Sequence, residues 1–76
     1  MSRAELEKVL TKERVSKDEI SKLIQNLEML EKAGMSKSDQ ELVIKNLIKD
    51  PPYRALFIKD YRSACNKVGV EPIPTP

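Results

Sequence analysis

The chain contains no histidine and no tryptophan, and it has one cysteine, two glycines, two tyrosines and one phenylalanine in 76 residues. Each scarcity removes a class of chemistry. Without histidine there is no His-ligated zinc site and no imidazole base to activate a nucleophile. A lone cysteine, Cys65, allows no internal disulfide and suits a reducing compartment. Two isolated glycines, Gly34 and Gly69, leave no Gly-rich loop to cradle a phosphate. No apolar run approaches the roughly 20 residues needed to span a bilayer. The amphipathic N-terminus also lacks the apolar stretch of a signal peptide. These absences lead to the expectation of a soluble intracellular protein, cytoplasmic or nuclear, that is not an enzyme and carries no cofactor or metal.

What the chain does have is helix punctuation. The pattern Ser-x-x-Glu occurs at Ser2–Glu5, Ser16–Glu19 and Ser38–Glu41. In such a box the serine oxygen accepts the backbone N–H three residues on, and the glutamate reaches back. A fourth start is written as Asp50 followed by Pro51 and Pro52, in a first turn whose N–H groups lack helical partners anyway. With 39% hydrophobic and 34% charged residues, the composition is that of a small globular domain.

Apolar spacing fills in the helices between these starts. The first runs from Arg3 to Lys12 or Arg14 on Leu6, Val9 and Leu10, with Met1 and Leu6 as a staple across its cap. The second runs from Lys17 to Ala33 on Ile20, Leu23, Ile24, Leu27 and Leu30, and Gly34 ends it. The third is capped by Ser36 or Ser38. Its apolar residues Leu42, Val43, Ile44, Leu47 and Ile48 form a face broad enough to touch two neighbours. The fourth is read as continuous from Pro51 to Val68, closed by Gly69. Its inner face holds Tyr53, Leu56 or Phe57, Tyr61, Ala64, Cys65 and Val68. No period-two alternation long enough for a strand is present, and no repeat at 20–50 residues stands out. The fold class is therefore all-α: a bundle of four helices over residues 1–69, the first one short, with an extended Pro-rich tail at 70–76.

Catalysis has little to stand on. The carboxylate pairs Asp18/Glu19, Glu28/Glu31 and Asp39/Glu41 lie in first turns or on polar faces, where capping and solvation account for them. Cys65 reads as a small buried hydrophobe.

Binding remains. Residues 1–41 carry eight basic and nine acidic side chains, whereas residues 42–76 carry six basic and three acidic. Lys45 and Lys49 on the third helix, with Arg54, Lys59 and Arg62 on the fourth, form a candidate basic strip for nucleic acid. Met1, Met29, Met35, Val70 and Ile73 fall outside the apolar stripes, which points instead to a protein partner or to self-association. The principal expectation is a non-catalytic protein–protein interaction module, an accessory part of a larger assembly, with Tyr53, Arg54, Lys59, Arg62 and Ile73 as contacts and Tyr53 as anchor. The alternative is a small nucleic-acid-binding regulator.

Short stretches also carry resemblances. Tyr61-x-x-x-Cys65-x-x-x-Gly69-Val70-x-Pro72 resembles the helix-and-cap segment before some leucine-rich repeat domains, and it is similar to a segment near the N-terminus of an ESCRT-II subunit. The order of Glu19-Ile20, Leu27-Glu28 and Leu47-x-x-x-Pro51 through Asn66-Lys67-Val68 resembles the N-terminal helical domain of transcription elongation factors. Each covers a third of the chain or less, and no functional residue is carried over from them.

Overall fold

Backbone amides need partners at the start of every helix, and in this chain serine and aspartate supply them. The computed structural model describes residues 2–70. Among these residues the chain forms five helices: α1 (Arg3–Lys12), α2 (Lys17–Lys32), α3 (Lys37–Lys49), α4 (Pro51–Lys59) and α5 (Tyr61–Lys67). Ser2, Ser16 and Ser36 cap the first three, each accepting from the N–H three residues on at 3.2 Å. Of the two candidate caps for α3, Ser36 is the one used, and the box at Ser38 lies inside the helix. The staple partner Met1 lies outside the described residues.

The expected long fourth helix is broken. Asp60 leaves helical geometry at φ −154° and caps α5, its Oδ1 accepting from the Ser63 N–H at 3.2 Å. Its other carboxylate oxygen accepts from the Ser63 hydroxyl at 2.8 Å. These bonds hold the Asp60 carboxyl below the usual carboxylate range. Across the break α5 packs on α4, and the Tyr53 hydroxyl donates to the Ala64 carbonyl at 2.7 Å. The Phe57 carbonyl, which an unbroken helix would pair with the Tyr61 N–H, accepts instead from Asn26 Nδ2 at 2.9 Å.

Three helices end alike. After α1, the Arg14 N–H donates to the Thr11 carbonyl and the Val15 N–H to the Leu10 carbonyl, both at 3.0 Å. Gly34 and Met35 repeat the pattern after α2, and Gly69 and Val70 repeat it after α5. This is the Schellman arrangement, in which the residue past the left-handed position packs back on the helix. Val15, Met35 and Val70 are all buried in this way. Met35 and Val70, off-stripe in sequence, therefore belong to the core, and the helical domain takes in Val70.

The joints also show a local repeat with a period of twenty residues, which corrects the expectation that none occurs at 20–50. Leu10-x-Lys12-x-x-Val15-Ser16-Lys17 returns twenty residues later as Leu30-x-Lys32-x-x-Met35-Ser36-Lys37. Beyond it, Ile24, Asn26 and Leu27 match Ile44, Asn46 and Leu47.

The core joins Leu6, Leu10, Leu23, Leu27, Val43, Leu47, Tyr53, Phe57, Ala64 and Cys65. At the centre is α4, which packs on α2, α3 and α5. Its Tyr53 and Phe57 rings stack with centroids 6.5 Å apart. Arg3 of α1 reaches Glu31 at 2.9 Å and Glu28 at 3.8 Å on α2. That exposed clasp is worth at most about 1 kcal/mol.

Candidate interaction surface

The residues expected to make contacts are scattered by the fold. Tyr53, the expected anchor, is 1% exposed. Its hydroxyl is used by Ala64, and burial, with a smaller contribution from neighbouring Cys65, pushes its pKa up to about 12. Arg54 is 8% exposed, because its Nη1 donates to the Leu47 carbonyl at 2.9 Å and the Ile48 carbonyl at 3.2 Å. It caps the C-terminus of α3, where a cation also complements the helix dipole. Tyr53 is therefore not the exposed anchor expected, and Arg54 presents only a small part of its surface. Lys59 and Arg62 are exposed but stand on either side of the break at Asp60, so they do not lie on one helix face. Ile73 lies outside the described residues. Lys45 and Lys49 are exposed one turn apart on α3. The basic strip is thus interrupted at its centre.

The carboxylate pairs behave as structural groups. Glu28 and Glu31 hold Arg3, Asp18 meets Lys22 at 3.3 Å, and Asp39 sits in the first turn of α3. Cys65 is fully buried. Burial, with the charge of Asp39 adding to it, pushes its thiol pKa up, opposite to what a thiolate nucleophile needs.

The surface feature of most substance is the outer side of α3. Val43 and Leu47 turn inward, whereas Leu42 is 46% exposed and Ile44 and Ile48 are half-buried. These three line an open, largely apolar groove of about 640 Å³, rimmed by Ser38, Glu41 and Lys45. The broad face of α3 thus packs on two neighbours, α4 and α2, as expected, while Leu42 and the outer parts of Ile44 and Ile48 stay open in the groove. Leu42, counted in the packing stripe of the third helix by its spacing, is exposed instead. The breadth of that stripe was the available signal. Met29, 51% exposed on α2, is the other large apolar side chain at the surface among the described residues.

Among the described residues no helix is long and apolar enough to cross a membrane. No family model, curated protein or solved structure matches this chain, so the short sequence resemblances gain no support from these comparisons.

Proposed function

We propose that this chain is a non-catalytic helical module that binds a protein partner, with the outer face of α3 as its docking surface. The observation carrying this reading is the exposure of Leu42 within an apolar groove flanked by charge of both signs, Glu41 and Lys45. An apolar centre with a polar rim is the usual anatomy of a protein interface. Full burial of one leucine side chain contributes about 1.5–3 kcal/mol, enough for a single anchor to matter. The single buried thiol suits an intracellular setting.

Cross-linking from a photoreactive leucine analogue at position 42, against the same analogue at Gln25, tests the proposal. A partner captured from position 42, and lost when Lys45→Glu is made on the same groove, supports it. Equal capture from both positions removes α3 as the docking face.

The competing nucleic-acid reading draws on Lys45 and Lys49, which stay exposed one turn apart. It requires association with DNA or RNA that weakens steeply between low and moderate salt. Self-association is read by light scattering across a concentration series.

A further inference from the structure

A second groove, of about 510 Å³, lies where the joint between α1 and α2 meets α2 and α4. Among the described residues its walls hold Arg14, Lys22 and Arg54 against one carboxylate, Glu19, while Val15 and Ile58 contribute apolar surface. Two of these cations are unusual for reasons that do not depend on each other.

Arg14 sits at φ +63°, the left-handed region, and is the only non-glycine residue there among those described. The two other helix ends with the same hydrogen-bond pattern use Gly34 and Gly69. Glycine enters this region without penalty, whereas a side chain with a Cβ is strained in it. The turn itself therefore gives no reason for an arginine at this position.

Arg54 is a nearly buried guanidinium with an unused edge. Nη1 spends its hydrogens on the carbonyls of Leu47 and Ile48, and Nε and Nη2 meet no acceptor among the described residues. No buried side-chain nitrogen or oxygen among those residues lacks a partner, so solvent reaches Nε and Nη2. Arg54 is one of the residues that line the groove. The Nε–Nη2 edge carries two parallel N–H groups, the fork that receives a carboxylate bidentately.

We propose that this groove receives an acidic side chain of a protein partner, Arg54 pairing with the carboxylate through Nε and Nη2 while Arg14 and Lys22 surround it with positive charge. Lys22, held by Asp18 at 3.3 Å, stands at the rim. Glu19 disfavours the higher charge of a phosphate, and Val15 and Ile58 suit the aliphatic stem and apolar neighbours of a glutamate in a peptide. This inference rests on the protein-binding reading and gives it a second, polar contact point.

The test is amide NMR of the full chain, titrated with acetyl-Leu-Glu-Glu-Leu-amide, with its Gln-Gln counterpart, and with inorganic phosphate. The expected result is saturable shifts at Arg14, Val15, Lys22 and Ala55 with the acidic peptide alone. Arg14→Gly should weaken that binding about tenfold while raising the melting temperature, since glycine relieves the left-handed residue. Arg54→Lys should abolish bidentate pairing, and if that variant does not fold, Arg14→Gly and Arg14→Asn decide. Equal shifts with the glutamine peptide or with phosphate, or unchanged affinity in Arg14→Gly, overturn the proposal. A null titration removes this groove alone, because cross-linking at position 42 judges the module reading independently.

Discussion

The joints of the two halves of this molecule are built on different plans. From α1 to α3 each joint is finished by its own backbone and one serine. A Schellman turn closes one helix, an apolar residue folds back, and the next residue caps the following helix. From α3 to α5 there are no such loops. Asp50 and Asp60 each end one helix and begin the next, and the carbonyls left open are met by side chains distant in sequence. Arg54 serves α3, Asn26 serves α4 and Tyr53 serves α5. The first plan is local, while the second exists only once the tertiary fold has formed.

If that contrast is right, the largest effect belongs to the distant caps. Arg54→Met should destabilise the chain by about 2–3 kcal/mol in urea unfolding, because two carbonyls lose a charged donor. A loss below about 0.5 kcal/mol, within the usual scatter of surface substitutions, would show that the α3 terminus does not depend on it.

Tyr53→Phe comes next, at about 1–2 kcal/mol near neutral pH, with the Ala64 carbonyl left unpaired. The same residue sets an alkaline limb. An unfolded tyrosine releases its proton near pH 10, whereas the native one holds it to about 12. Between these values the unfolded state binds fewer protons, so stability falls as pH rises, by roughly 2–3 kcal/mol in all. Urea midpoints across that range should lose this part of the slope in Tyr53→Phe.

Effects of opposite sign belong to the local joints, the smallest of all at Arg14. Gly34→Ala should cost about 1–2 kcal/mol on conformational grounds alone, since nothing lies within 4 Å of the added Cβ. Arg14→Gly should gain up to about 1 kcal/mol at the equivalent position. Matching signs in the two thermal melts would break the equivalence of the joints.

The same division decides what could be read from the sequence. The serine caps, Gly34, Gly69 and the apolar stripe of α2 are adjacent-residue signals, and α1 to α3 follow from them within a residue or two. Asp60 is equally local, an aspartate three residues before Ser63, but the apolar spacing on either side of it reads as one continuous helix. Tyr53 and Arg54 misled for a different reason. Their partners, Ala64, Leu47 and Ile48, offer only backbone carbonyls, which leave no side-chain mark in a sequence. Leu42 was legible as apolar, but its exposure depended on which neighbours α3 would meet. The paired grooves required the fold.

The burial of Cys65 gives the molecule an internal clock. A thiol without solvent contact reacts with a labelling reagent only while its surroundings are open. Its labelling rate under native conditions therefore counts the openings of α5. Whole-chain unfolding exposes the same thiol, so labelling faster than the urea-measured stability allows measures the release of the C-terminal element, which the Tyr53 hydroxyl and the Asp60 cap tie down. The chain's only sulfhydryl thus serves as a timekeeper for the last helix.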